Sequence, residues 1–157
     1  MITKKFDLKP FYVILIGLLI IALIHIASNT AGIVINTTSS MPDIFYRIGD
    51  GKGSPISFCS PVPHKSVIYG ACPDGSMPLV KRKVGVAGDV VYVTDDGVSV
   101  NGMHLPNSRP LDLDSKGKDL PHLRGEFTLQ NGEVWTAGEH PQSFDSRYFG
   151  PVRISKN

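Results

Sequence analysis

The sequence has few of the residues that build metal sites or nucleic-acid surfaces. It contains 2 cysteines in 157 residues, and its formal net charge is +2 at pH 7. With two cysteines and no histidine at zinc-ligand spacing, a metal site is not expected. The excess positive charge lies in the first ten residues, where Lys4, Lys5 and Lys9 outnumber Asp7. The remainder is neutral, so nucleic acid is not expected as a partner.

Two further absences limit the chemistry. There is no Gly-x-Ser-x-Gly elbow, which is the motif that carries the nucleophile of α/β-hydrolases. The histidines that follow the apolar N-terminal segment all lie in loop-like stretches outside any motif; they are His64, His104, His122 and His140. A triad with a histidine base is therefore unsupported.

Only one long hydrophobic run is present, at residues 11–26, where Gly17 and His25 are the exceptions. A helix over residues 10–28 would be about 28 Å long, close to the thickness of a bilayer core. The lysines precede this run, so we predict a cytoplasmic tail (1–9), a transmembrane anchor (10–28) and an extracytoplasmic domain (29–157). A cleaved signal peptide is the competing interpretation, but no clear small-x-small cleavage site follows the run.

The part after residue 29 has the pattern of a mainly β domain. Short β-branched and aromatic stretches alternate with Gly- and Pro-rich turns, and no amphipathic helix is evident. Asp95-Asp96-Gly97, between two valine-rich stretches, predicts a hairpin. Residues 105–125 are rich in Pro, Asp, Ser, Gly and Lys, which predicts a long loop or insertion.

Cys59 and Cys72 are thirteen positions apart. Outside the cytoplasm we expect them to form a disulfide. Such a loop closure would stabilise the fold by roughly 3 kcal/mol in the chain-entropy model. Two buried free thiols are the alternative.

A serine and a lysine are the candidate catalytic pair. A serine hydroxyl becomes a good nucleophile only when a base takes its proton, and a buried lysine can be that base because burial favours its neutral form. Lys81 lies between Val80 and Val84 in a predicted strand, where Arg82 would face the opposite side. Ser40, beside Met41 and Pro42, is the candidate nucleophile, although serine beside proline is common in turns.

Three blocks of sequence resemble the type I signal peptidase superfamily of Ser/Lys proteases, and most closely the peptidases of plasmid conjugative transfer (the TraF type). They are Ser-Met-Pro at residues 40–42, Lys-Arg-Lys-Val-Gly-Val-Ala-Gly-Asp at 81–89 and Ser-Phe-Asp-Ser-Arg-Tyr-Phe-Gly at 143–150. The resemblance implies a signal-peptidase-like β domain with Ser40 as nucleophile and Lys81 as general base. Ser39 is the rival nucleophile, but the family serine directly precedes the methionine.

The resemblance also implies roles for the surrounding residues. Thr38 and the Ser40 N–H would form the oxyanion hole, and Ser143 would hydrogen-bond and orient Lys81. Asp145 would pair with Arg82 or Arg147 and shape the site, although in the conjugative branch this aspartate is sometimes counted as catalytic. No metal or organic cofactor would be needed.

The function implied is a membrane-anchored endopeptidase that cleaves a pilin-like precursor, and the resemblance also permits cyclisation of the product. Its localisation would be the bacterial inner membrane, with the catalytic domain in the periplasm and contacts to the conjugative transfer machinery. The alternatives are a housekeeping signal peptidase and a non-catalytic assembly factor of an envelope secretion machine.

Overall fold

The computed structural model describes residues 9–62 and 70–154. The chain divides into two units, residues 1–33 and 34–157. Residues 1–8, which hold nearly all of the predicted cytoplasmic tail, lie outside the described part.

The first unit contains helix α1 (Lys9–Thr30). Its last turn is closed by Thr30, whose hydroxyl donates to the carbonyl oxygens of Ile26 and Ala27. The apolar side chains between residues 11 and 26 are largely exposed. In the part of the chain that the structure describes, no helix has both the length and the apolar character required to cross a bilayer. The predicted anchor over residues 10–28 is thus helical, but its membrane-spanning role is not supported.

The second unit is mainly β, which confirms the predicted fold class. Short strands fit the sequence because each β-branched or aromatic stretch is soon interrupted by a turn residue. The described strands are β1 (Ile33–Ile35), β2 (Phe45–Arg47), β3 (Pro55–Phe58), β4 (Leu79–Gly85), β5 (Val90–Thr94), β6 (Gly97–Val100), β7 (Met103–His104), β8 (Gly125–Thr128), β9 (Glu133–Ala137) and β10 (Val152–Arg153), with a short helix α2 (Ser146–Phe149) before the last.

These strands form a two-stranded sheet and two four-stranded sheets. The orders are β1-β2, β10-β9-β4-β3 and β7-β6-β5-β8. Strand β4 lies inside its sheet and pairs antiparallel with β3 and β9. Lys81, Lys83 and Gly85 stand at every second position of β4, are all buried and share one face of the strand, as its period of two requires.

The predicted hairpin is confirmed as β5–β6, in which Thr94 pairs with Gly97 around a two-residue loop. Its valines pack in the core against Leu129 and Trp135. Strand β8, which pairs with the other edge of β5, was not predicted.

The predicted insertion at 105–125 is largely a loop with turns of its own. A bridge joins Leu113 and Asp119, and the turn inside it is held by hydrogen bonds between Asp114 and the Lys118 carbonyl and between Gly117 and the Asp114 carbonyl. Only its last residue belongs to a strand, since β8 begins at Gly125.

Candidate active site

The candidate nucleophile lies in residues 36–44, a segment between β1 and β2 that we call the nucleophile turn. The Asn36 N–H donates to the Ile44 carbonyl oxygen at 2.7 Å and closes the turn. Met41 is buried in a cluster with Tyr46 and Val80. The packing of Met41 fixes the position of the neighbouring Ser40, which is itself only 8% exposed.

Lys81 reaches Ser40 from the buried face of β4. Its Nζ donates a 2.7 Å hydrogen bond to Ser40 Oγ, and Lys81 is 3% exposed. Burial lowers the pKa of Lys81 from its ordinary 10.5 to about 8, the Asp145 carboxylate raises the pKa in part, and the Arg147 guanidinium lowers it again. The neutral amine that a base requires is therefore well populated at mildly alkaline pH. Ser39, the rival nucleophile, is exposed.

Thr38 and Asn36 extend this contact into a chain of polar groups. The hydroxyls of Thr38 and Ser40 are 2.7 Å apart, and either can donate to the other. Thr38 Oγ1 is also 3.0 Å from Asn36 Oδ1, to which it can donate. The Thr38 hydroxyl therefore lies beside the candidate nucleophile.

Asp145 and Arg147 form a buried ion pair next to the serine and lysine. Arg147 donates from Nε and Nη2 to the two carboxylate oxygens at 2.8 and 3.0 Å, and both side chains are 1% exposed. Asp145 also accepts from the Gly138 N–H and caps α2. Arg147 Nη1 donates to the carbonyl oxygens of Asn107, Arg109 and Pro141. Arg147 therefore connects the insertion at 105–125, through Asn107 and Arg109, to the buried Asp145.

Arg82 differs from the sequence-based expectation that it is one of two partners for Asp145. It lies on the other face of β4, where its guanidinium contacts Glu139 at 2.6 Å and the Gly53 carbonyl oxygen at 3.0 Å. The alternation of side chains along a strand explains this outcome, since Lys81 occupies the inner face and its neighbour must point away.

Ser143 also differs from expectation. It lines the same cleft as Ser40 and Lys81, but its buried hydroxyl oxygen has no hydrogen-bond partner in the described part of the chain. The predicted bond to Lys81 is not formed, and the lysine donates to Ser40 instead. A Cβ atom on Gly138 would collide with the Ser143 side chain and with the Ser40 carbonyl oxygen. The glycine therefore permits close packing of its own segment against Ser143 and the nucleophile turn.

An open cleft of about 910 Å³ runs along the candidate pair. Its walls come from the nucleophile turn, the segment 77–81, the insertion at 111–121 and residues 140–148. Leu79, Leu111 and Phe144 are among the residues that line it. Among residues 9–62 and 70–154, no cluster of His, Cys, Asp and Glu could hold a metal ion.

Cys59 and Cys72 form a disulfide in the structure, with their Cα atoms 5.6 Å apart. The bond joins the residue after β3 to the segment that leads into β4. Part of the loop it closes, residues 63–69, lies outside the described part, as does His64.

The sequence-based reasoning missed two features of the site. One is Asn36, whose side chain makes five hydrogen bonds in the nucleophile turn. The other is the support of the Ser40 carbonyl oxygen by the N–H groups of Glu139 and His140. Neither feature could be read from the sequence, because backbone donors leave no trace there and residues 36–40 form a turn, to which the alternation of a strand does not apply.

Comparison with known proteins shows the family of the chain. Residues 8–156 match the family model described as "Signal peptidase, peptidase S26". Two proteins named "Plasmid transfer protein TraF" from Escherichia coli are 37% and 36% identical to the chain, over 80% and 83% of it and 78% and 81% of their own lengths.

A third relative is "Signal peptidase I V" from Bacillus subtilis (strain 168). It is 33% identical over 48% of this chain and 50% of its own length. The family resemblance seen in the sequence is confirmed, and the chain belongs to the signal peptidase family, peptidase S26.

Proposed function

We propose that this protein is a serine endopeptidase that uses a Ser40/Lys81 dyad. The observation that carries the proposal is the 2.7 Å hydrogen bond between Lys81 Nζ and Ser40 Oγ at a buried lysine whose pKa is lowered to about 8. A nucleophile within hydrogen-bond reach of a base, at the edge of an open cleft, is the arrangement that acyl transfer requires.

The reaction begins with neutral Lys81. Ser40 Oγ attacks the scissile carbonyl carbon, and its proton passes to Lys81 Nζ. The tetrahedral intermediate collapses, the C–N bond breaks, and Lys81 gives the proton to the departing amine. The product of this half-reaction is an ester on Ser40 and a neutral lysine.

A second half-reaction releases the acyl group. Water attacks the ester, loses a proton to Lys81, and the proton then returns to Ser40 Oγ as a carboxylic acid leaves. If an amino terminus of the substrate attacks instead of water, the same steps form a peptide bond and a cyclic product. Both outcomes use groups of this chain together with water or the substrate's own amino terminus, and no step calls for a cofactor.

The oxyanion of each intermediate would be held by the Ser40 N–H and the Thr38 hydroxyl. The Thr38 oxygen is 2.7 Å from Ser40 Oγ, so it is close to the place where the negative charge develops. Removal of one such donor typically costs about 3–4 kcal/mol of transition-state stabilisation. Asp145 has a structural role in this scheme, because Arg147 and the Gly138 N–H occupy its carboxylate.

The proposed substrate is a pilin-like precursor of conjugative transfer, and transfer proteins are the proposed partners. The names of the Escherichia coli relatives, which match over most of their length, support this choice over a housekeeping role. The Bacillus subtilis signal peptidase, which matches over about half of each chain, supports the housekeeping alternative.

The proposed location of the catalytic domain is the periplasm, with the protein held at the inner membrane. The Cys59–Cys72 disulfide supports an oxidising compartment. The exposed apolar side chains along α1 support contact with lipid.

The test is to replace Ser40 by Ala and Lys81 by Met separately and to follow the size of a co-expressed propilin in membranes. We expect both variants to accumulate uncut precursor while the folded protein remains, and Ser39→Ala, the matched control, to process normally. Normal processing by both dyad variants would instead favour a non-catalytic assembly factor. Cleavage of unrelated secretory preproteins would favour the housekeeping enzyme, and the mass of the wild-type product separates linear from cyclic pilin.

A further inference from the structure

The Asn36 side chain uses all of its hydrogen-bonding capacity inside the nucleophile turn, and its two N–H groups are shared among three carbonyl oxygens. Its amide nitrogen donates to the carbonyl oxygens of Thr38, Met41 and Asp43 at 2.7, 3.0 and 3.1 Å. Its oxygen accepts from the Thr38 N–H at 3.2 Å and lies 3.0 Å from the Thr38 hydroxyl. Asn36 is 7% exposed, so water does not replace these bonds.

The donor directions follow from this network. When Lys81 is protonated, it donates to Ser40 Oγ, Ser40 donates to Thr38 Oγ1, and Thr38 donates to Asn36 Oδ1. When Lys81 is neutral, Ser40 turns its proton toward the amine, which is the reactive arrangement. The Thr38 hydroxyl then accepts no proton from Ser40, and its own proton can point at Asn36, at Ser40 Oγ or at a substrate oxyanion.

We infer that Asn36 is a positioning residue, which holds the nucleophile turn by its amide and keeps the Thr38 hydroxyl beside Ser40 by its carbonyl oxygen. This inference rests on the proposed function, because it concerns how the same serine is presented. Asn36 does not touch the reacting atoms and acts through Thr38. A misplacement of about 1 Å at a reacting centre can cost about 100-fold in rate.

Tyr46, which lies in β2 next to the nucleophile turn, provides a matched control. Its hydroxyl accepts from the Asp43 N–H at 2.8 Å, and its ring packs with Met41, so it supports the turn without contacting Thr38. The Tyr46→Phe variant removes one turn hydrogen bond and leaves the chain from Asn36 to Lys81 intact.

The experiment measures acylation of the full-length protein in detergent by p-nitrophenyl acetate, which releases p-nitrophenolate when a serine is acylated. Asn36→Ala, Thr38→Val, the double variant, Tyr46→Phe and Ser40→Ala are compared, and melting temperatures are recorded for each. We expect Asn36→Ala to lower the acylation rate about 100-fold. In the Thr38→Val background we expect Asn36→Ala to lower the acylation rate by about tenfold or less, because the effects of coupled residues are not additive. Tyr46→Phe should stay within about twofold of the wild type.

Equal rates for the wild type and Asn36→Ala overturn the inference. The inference is also overturned if Asn36→Ala lowers the acylation rate equally with Thr38 or with Val at position 38 and also lowers the melting temperature. Asn36 would then have only a structural role. If Asn36→Ala does not fold, the cycle is repeated with Asn36→Leu, which is close to asparagine in size and has no oxygen for Thr38. Equal rates for the wild type and Ser40→Ala would remove the proposed function itself, and the inference with it.

Discussion

Lys81 Nζ and Ser40 Oγ meet at 2.7 Å although the two residues are 41 positions apart in the chain. The meeting depends on strand alternation, which turns Lys81 inward, and on Met41, which packs against Val80 next to Lys81. Displacement of strand β4 or of the nucleophile turn would separate the Lys81 amine from the Ser40 hydroxyl.

The lowered pKa of Lys81 predicts how the rate depends on pH. Below about 8 the lysine is an ammonium and cannot accept the proton of Ser40, so kcat/KM should fall about tenfold per pH unit on the acid side and level off above it. The measurement is kcat/KM between pH 6 and 10 on a peptide that spans the cleavage site. A rate that stays constant from pH 6 to 9 would contradict a lysine base.

The same pKa predicts the pH dependence of stability. The folded state holds its Lys81 proton less tightly than the unfolded state, whose lysine keeps a pKa near 10.5. The unfolded state therefore binds more protons between pH 8 and 10.5, and the contribution of Lys81 to stability should increase with pH across that window. Below pH 8 the cost of burying the charge is fully present. Denaturant unfolding should show this rise in the wild type relative to Lys81→Met, which lacks the titrating group.

Ser143 and Ser146 allow a comparison of two buried serines in one segment. Ser146 Oγ accepts from the Thr136 N–H at 2.9 Å, whereas the Ser143 hydroxyl has no partner among the described residues. Loss of a satisfied buried hydrogen bond costs about 1–3 kcal/mol, but loss of an unsatisfied hydroxyl does not. We expect Ser146→Ala to lower the free energy of unfolding and Ser143→Ala to leave it unchanged or raised. Equal destabilisation by both would show that Ser143 is hydrogen-bonded in solution.

Arg147 and Arg82 provide a contrast between a buried and an exposed ion pair. Arg147→Ala leaves the Asp145 carboxylate buried without its partner, which typically costs about 3–5 kcal/mol. Arg82→Ala removes an exposed contact with Glu139, worth at most about 1 kcal/mol. Urea unfolding of the two variants checks the difference, and a destabilisation by Arg82→Ala as large as that by Arg147→Ala would contradict the placement of these residues.

Gly138 predicts a steric effect on the site. An added methyl group would press on the Ser143 side chain and on the Ser40 carbonyl oxygen. Gly138→Ala should therefore displace Ser40, and it should reduce kcat by a larger factor than it changes KM. Gly51→Ala is the control, because a Cβ there would meet only Ser54 Oγ at 3.9 Å. Normal kcat in the Gly138 variant would mean that the segments around Ser40 shift without cost.

Much of the fold could be predicted because it follows from local pattern. The alternation in β4 separates Lys81 from Arg82, and Asp95-Asp96-Gly97 gives the hairpin its two-residue loop. Helix α2 has four residues, too few to show a helical period, and β8 follows directly on a polar loop. The sequence pattern therefore had no signal for either element.

The candidate site was predictable in its residues and less so in its contacts. Ser40 and Lys81 lie within blocks that resemble a family, but the choice between Arg82 and Arg147 as partner of Asp145 depends on which face of β4 each lies near. Asn36 could not be singled out, because asparagine is common in turns and its five bonds depend on the path of the backbone.

The most direct test of the central claim is the identity of the acylated residue. The wild-type protein is incubated with a peptide ester of the cleavage-site sequence, quenched in acid, digested and mapped by mass spectrometry. The account predicts an acyl group on Ser40, its absence in Ser40→Ala, and strongly reduced acylation in Lys81→Met. An acyl group on Ser39 would contradict the choice of nucleophile, and cleavage with no serine acylated would contradict the dyad mechanism.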